Sequence, residues 1–257
     1  MILAALLFFM GSPKDVAFQQ VFLSGKQTLE RGYSATDLAL LKSADRIFDQ
    51  IGEAYSDPLV FYYQGLTNYR ILNCLNMQGN QTYREQSPYL DKAISCLEKI
   101  QNSNPTYMEA CVLLHNLYGR KIGFKPMLGL SLLPKMKKMG EIARQMEPEN
   151  PRWLLMEAVY DYHAPKRFGG DREKALMGFE KAASVLASRA QSEFGSPDWG
   201  LTDAYAWLGI CYSDAGENDL AKRYFDKALE VDPNFGWVKK YLYPRLVNSG
   251  YSSHAAK

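Results

Sequence analysis

An all-α architecture of stacked helical hairpins follows from three observations. No sustained alternation of Val, Ile or Thr with polar residues occurs, and no Asn-Gly hairpin turn is present. Apolar residues instead recur at three- and four-residue steps along most of the chain. A third sign is a recurring Ala-x3-Phe-x2-Ala pattern, which appears as Ala175, Phe179, Ala182 and as Ala221, Phe225, Ala228. It returns with drift as Ala44, Phe48, Ile51 and as Ala93, Leu97, Ile100.

Five hairpins account for these patterns, at about 15–54, 57–102, 105–147, 150–192 and 202–231. The first carries Ala44, Phe48 and Ile51 on its second helix. The second opens with "DPLVFYYQGLTNY", where Gly65 is the small residue of a close helix crossing, and closes before Pro105. In the third, Leu114 and Tyr118 are in place on the first helix, but the frame of the second, about 134–147, is open. In the fourth, either Glu157 or Ala158 is the tight contact. The fifth is broken by "DAGEND", with Gly216 ending one helix and Asn218 or Asp219 capping the next. A final helix at about 235–248 covers the end of the stack, as a terminal repeat must. Three hairpins carry insertions between their helices, "CLNMQGNQTYREQSPYL", "GRKIGFKPMLGLSLLP" and "HAPKRFGG", and such insertions often mark a binding face.

Residues 202–233 bear the family resemblance. Tyr205, Leu208, Gly209, Tyr212, Ala221, Phe225, Ala228 and Pro233 stand at the offsets of the tetratricopeptide repeat, with Tyr205 in the usual Trp place. The resemblance implies a right-handed superhelical solenoid. It also implies a concave face lined by the first helix of each hairpin. Those positions fall on Asp203, Ala206, Ile210 and Ser213 in the last repeat, and on Glu109, Val112, Asn116 and Arg120 in the third. The implied activity is a non-catalytic scaffold for a protein or peptide partner. The mixed lining lacks a stacked Lys/Arg clamp for a C-terminal carboxylate. The run from Pro148, with its Pro…Gly-Gly-Asp turn, resembles a divergent exported bacterial branch of these repeats. It is similar in part to the periplasmic repeat protein that partners tripartite ATP-independent transporters. That similarity implies an envelope location and a membrane-associated complex.

The stretch "RFGGD" admits two readings, an anion-gripping loop or an inter-helix turn. A phosphate cradle usually follows a strand, and a helix precedes this one. Asp171 also sits where an N-cap belongs, and Gly169 and Gly170 allow positive φ. The turn is the favoured reading. His115 lies in an apolar helix and reads as a packed residue, whereas His163 ends a helix beside this loop. Trp199 and Trp237 are either core wedges or anchors for a partner. "KIGFKPMLGLSLLPKMKKMG" mixes apolar residues with five lysines. A basic amphipathic segment of this kind suits a membrane or an acidic partner, and a charged surface helix is the plainer reading.

Composition narrows the function classes. The 257 residues are 47% hydrophobic, enough for a sizeable core, and the net charge of +2 is too balanced to indicate a nucleic-acid partner. Cys74, Cys96, Cys111 and Cys211 read as buried thiols, with a bridge among the first three left open. None of the common catalytic or metal-binding motifs is present, so no catalytic residue, cofactor or metal is expected. Residues 1–12 read as a signal-peptide remnant of a periplasmic or otherwise exported protein, or alternatively as a buried N-terminal helix of a cytoplasmic one; 13–249 read as one repeat domain and 250–257, with His254, as a flexible tail. An alternative to the scaffold is a small-molecule carrier whose pocket is bordered by Arg120, His163 and Trp199. The candidate partner-binding residues are thus Glu109, Asn116, Arg120, His163, Trp199, Asp203, Ile210, Ser213 and Trp237.

Overall fold

The computed structural model describes residues 13–188 and 194–248, which are helical with short connections and contain no strand. The expected leader at 1–12 and the tail at 250–257 lie outside the described residues. Five hairpins follow one another. They are α1 (Pro13–Ser34) with α2 (Leu38–Ala54), α3 (Pro58–Met77) with α4 (Tyr83–Ser103) and α5 (Met108–Phe124) with α6 (Gly129–Met146). Then come α7 (Pro151–His163) with α8 (Arg172–Ser188) and α9 (Leu201–Asp214) with α10 (Asn218–Val231). A π-helical stretch, Trp237–Leu242, runs into α11 (Tyr243–Asn248) and covers the last hairpin.

The recurring Ala/Phe pattern is the core of the first, second, fourth and fifth hairpins. Ala44, Phe48, Ala93, Leu97, Ala175, Phe179, Ala221 and Ala228 have no exposed surface, and Phe225 has 1%. Each large side chain buried this way contributes roughly 1.5–3 kcal/mol relative to exposure. The large residue of one helix meets a small one on its partner. A Cβ on Gly65 would stand 2.6 Å from the Leu97 side chain, and one on Gly209 would stand 2.2 Å from the Phe225 ring. In the fourth hairpin the small contact is Ala158, whose Cβ packs on Gly178. Glu157 instead turns outward to Arg144 at 2.9 Å. The open frame of α6 is set by Met136, Met139, Gly140 and Ala143, with Gly140 under the His115 ring.

Side-chain caps fix several helix starts. Asp37, Asp57 and Asn150 accept from the first backbone N–H groups of α2, α3 and α7, and Thr82 with Glu85 forms a capping box on α4. In the last hairpin, Gly216 at φ 81° turns the chain as expected. The expected cap by Asn218 or Asp219 is displaced: α10 starts at Asn218 itself, with Glu217 in the cap position and no side-chain cap bond.

Two of the expected insertions are largely helix. The second hairpin's segment is the last turn of α3, a short turn and the start of α4. The third's lengthens α5 to Phe124 and starts α6 at Gly129, with a 3-10 turn at Pro126–Leu128 between them. Pro134 lies in the second turn of α6, where its missing N–H removes one intrahelical bond.

The stack closes on itself. Lys26 of α1 reaches Asp198 at 2.7 Å, Phe22 packs on Phe194, and Lys240 donates to the Ala35 carbonyl at 2.7 Å. The first hairpin therefore touches both the segment that precedes the last hairpin and the segment that follows it.

Candidate functional site

The inner face, formed by the first helices α1, α3, α5, α7 and α9, carries the molecule's most concentrated buried polar groups. It divides into a sealed half and an open half.

In the sealed half, Arg70 of α3 makes a two-pronged ion pair with Asp203 of α9, at 3.0 and 2.9 Å. Both side chains are buried, and Tyr33 of α1 donates a 2.5 Å hydrogen bond to the same carboxylate. The Arg70 guanidinium lies 3.7 Å from the centre of the Tyr33 ring and 4.8 Å from that of Trp199. Burial drives the Tyr33 phenol well above its ordinary pKa, with Arg70 acting against that rise and Asp203 adding to it. A parallel pair joins Arg152 of α7 to Glu109 of α5 at 2.7 and 2.6 Å, with Asn150 adding a bond to Glu109 at 3.1 Å. The segment before α9 crosses this half. Trp199 donates to the Tyr62 hydroxyl at 2.9 Å, and Tyr63 donates to the Ser196 carbonyl at 3.4 Å. Gly195 and Gly200 hold φ of 76° and 124°, which lets the segment fold inward.

Several expected lining residues are consequently engaged within the chain. The carboxylates of Asp203 and Glu109 are held by arginines from other hairpins, and Val112 and Ala206 have no exposed surface. Ile210 and Ser213 line a crevice of about 10 Å³ closed by Leu242 and Arg245, barely room for one water. Trp199 is a wedge against Tyr62 and Arg70. Trp237 is half-buried, with its ring 5.4 Å from that of Trp207.

The open half gathers Asn116, Arg120 and His163. Arg120 donates to Gln86 Oε1 at 3.1 and 2.7 Å, to Asn73 Oδ1 at 3.1 Å and to the Leu72 carbonyl at 3.0 Å. Gln86 has no exposed surface and is itself oriented by donation to the Asn80 carbonyl. All these acceptors are neutral. Among the described residues no carboxylate pairs with Arg120, unlike Arg70 and Arg152. Burial pulls the Arg120 guanidinium down to about 10, so it stays cationic at neutral pH. His163, the last residue of α7, is exposed at one edge and set between the rings of Tyr162 and Trp207, at 5.0 and 5.3 Å. This crowding, with the charges of Arg172 and Arg120, lowers its pKa. Asn116 is half-buried one turn before Arg120 on the same helix. The result is a half-buried cation without a carboxylate partner, near an imidazole whose pKa is lowered.

The remaining residues behave structurally. His115 is buried, with Nδ1 at 3.0 Å from the Met136 carbonyl and its ring edge-on to Trp153. Asp171 accepts from the backbone N–H of Glu173 and Lys174 at 2.9 and 3.1 Å, so "RFGGD" is the turn of the fourth hairpin. Gly169 has φ 91°, and a Cβ on Gly170 would stand 1.7 Å from the Ala164 carbonyl oxygen. All four cysteines are free thiols. Burial raises Cys74 to about 11 and Cys211 to about 12, which makes both unreactive. Among the described residues no group of three His, Cys, Asp or Glu side chains is placed to hold a metal.

Arg70, Arg152, Tyr33 and Tyr62 did not stand out in the sequence. The available signal was a cation inside an apolar helix, as in "LTNYRILN", since buried Arg is rare unless paired.

Residues 202–235 match the family model for the tetratricopeptide repeat. No curated protein matches the chain. Among solved structures, TTC0263, a thermophilic TPR protein in Thermus thermophilus, superposes with a TM-score of 0.58 at 16% identity, covering 87% of this chain and 99% of that one. The HusA haemophore from Porphyromonas gingivalis gives a TM-score of 0.58 at 21% identity, covering 80% and 96%. At these identities the likeness is one of fold: an all-α helical-repeat solenoid.

Proposed function

Proceeding from a tetratricopeptide repeat at 202–235 within such a solenoid, we propose that the protein is a scaffold that binds an acidic segment of a protein partner. The binding surface is the open half of the inner face. Arg120 carries the proposal: it is a deeply set guanidinium whose partners are all neutral. Such a group retains most of its attraction for an anion, because the low local dielectric strengthens it and no carboxylate cancels it. Asn116 offers a side-chain amide beside it. His163 gains a proton more readily once an anion arrives, so binding adds a second charge-assisted bond. The sealed half pre-organises this surface by fixing α3 to α9 and α5 to α7. An envelope location, with the scaffold serving a membrane-associated complex, belongs to the same proposal.

A small-molecule carrier is the second reading, favoured by one observation: a protein of similar fold is a haemophore. A flat carboxylate-bearing ligand suits a surface that sets Arg120 near the rings of Tyr162, His163 and Trp207. Trp199 is occupied by Tyr62 and Arg70, so it borders a different part of the inner face.

Selection of random displayed peptides on the full chain tests the first reading. Recovered binders are expected to be acidic, and to weaken about tenfold or more against Arg120→Gln. Binders without acidic residues that hold equally to Arg120→Gln overturn it. Saturable binding of haem without any peptide selection supports the carrier.

A further inference from the structure

The turns within the third and fourth hairpins leave one end of the solenoid with an apolar, cationic edge that the inner face does not use. At the α5–α6 turn, Met127 is 92% exposed, Leu130 94% and Leu133 40%. At the α7–α8 turn, Phe168 is 62% exposed. Large side chains left this open on consecutive projecting turns are unusual for a soluble surface. The two turns lie at the same end of the stack, because α5 and α7 pack side by side and the charge of Arg120, near the end of α5, reaches His163 at the end of α7. Both turns are held rigidly. Phe124 packs on Tyr83, and Tyr160 donates to the Phe168 carbonyl at 2.8 Å.

The charge carried by the two turn segments themselves is of one sign. Residues 119–140 contain Arg120, Lys121, Lys125, Lys135, Lys137 and Lys138 and no acid, and residues 163–170 add Lys166 and Arg167, again with no acid. Lys121 and Lys135 are paired, with Asp91 and Glu98. Among the described residues Lys125, Lys137, Lys138, Lys166 and Arg167 form no ion pair. Lys125 lies over the Tyr83 ring and Arg167 over Phe168, so both stay at the tips. The nearest acid beyond the second turn, Asp171, is committed to capping α8.

From this juxtaposition we propose that the edge formed by the α5–α6 and α7–α8 turns docks peripherally on an anionic lipid surface. Met127, Leu130 and Phe168 enter the interface, and Lys125, Lys166 and Arg167 meet the headgroups. Apolar tips ringed by cations match a bilayer surface, where acyl chains underlie anionic headgroups. The occupant is a bilayer rather than a second copy of the chain, because a self-interface would bring the same unpaired cations together. Docking is peripheral, since no helix of the described residues is long and apolar enough to span a membrane.

Co-sedimentation of the full chain with vesicles tests this. Binding is expected to vesicles with about 30 mol% phosphatidylglycerol in phosphatidylcholine, to be far weaker to pure phosphatidylcholine, and to fall at high salt. The triple variant Met127→Ser, Leu130→Ser, Phe168→Ser is expected to bind at least about tenfold more weakly. Lys166→Glu with Arg167→Glu is expected to give a similar loss, while circular dichroism is unchanged in both because all five positions are exposed. No binding to the anionic vesicles overturns the proposal. So does binding that survives both variants. Self-association that the triple variant abolishes, without vesicle binding, assigns the edge to a second copy instead.

Discussion

At the residue scale, what decides each polar group's role is whether it has a partner of opposite charge. Arg70 and Arg152 have one and close the inner face, while Arg120 has none and opens it. His115 illustrates the structural outcome. Its Nδ1 donates to the Met136 carbonyl in the neutral tautomer that this contact implies. Burial is the main cause of its lowered pKa, with Arg144 acting the same way. A histidine whose folded pKa lies below the unfolded value of about 6.5 holds fewer protons folded than unfolded. Its contribution is complete above about pH 6.5 and is lost as pH falls through that window. Stability measured by urea denaturation is therefore expected to drop as pH falls below about 6.5. His115→Phe is expected to flatten that drop while imposing a pH-independent loss. An equally steep profile in the variant would move the titration elsewhere, with His163 the next group to test. The packed role of His115 was legible from its apolar neighbours. The distinction between Arg120 and the paired arginines was not, because it depends on side chains from α3, α4 and α9.

At the scale of elements, the sequence was most legible where a helix contacts its own hairpin partner. The Ala/Phe pattern, the Gly209 crossing and the Asp171 cap are all local, and local spacing encodes them. α6 was not legible. Its contacts run to His115, Gly119 and Trp153 through a glycine and the sulfur-bearing Met136, which fit many frames. The lengthened α5 and α6 were hidden for a related reason: "GFKPMLG" contains residues expected of a loop, yet only Lys125 and the 3-10 turn Pro126–Leu128 leave the α-helix. The close crossing gives a direct check. Gly209→Ala raises helix propensity by about 1 kcal/mol but places a Cβ 2.2 Å from the Phe225 ring. Overpacking is expected to win, with a net loss of about 1–3 kcal/mol in chemical denaturation. Gly209→Ala with Phe225→Leu is expected to recover part of it. A stabilised single variant would mean that the helices are not this close.

At the scale of the whole molecule, the closure of the stack is the property that repeat-by-repeat reading missed. A solenoid is ordinarily a chain of nearest-neighbour contacts. Here Tyr33, Arg70 and Asp203 link the first, second and fifth hairpins, and Trp199 fills the space between. Their positions in sequence are up to 170 residues apart, so no local pattern records the link. Asp203→Ala leaves Arg70 buried without its counter-ion, and is expected to destabilise the fold by about 3–5 kcal/mol. Arg70→Met with Asp203→Leu is expected to restore most of that stability, because the pair is costly to break rather than costly to replace. Loss of less than about 1 kcal/mol in Asp203→Ala would show that this closure is not part of the cooperative unit.

Closure of one half leaves Arg120 as the inner face's uncompensated charge, and that asymmetry is the basis of the proposed binding site. The most direct test follows the Arg120 Nε–Hε resonance by NMR while an acidic peptide from the display selection is titrated into the full chain. The predicted result is a shift of that resonance, with slower exchange of its proton with solvent. Both changes saturate with the peptide and weaken in His163→Gln. An unchanged Arg120 resonance while the peptide binds would contradict the proposed site.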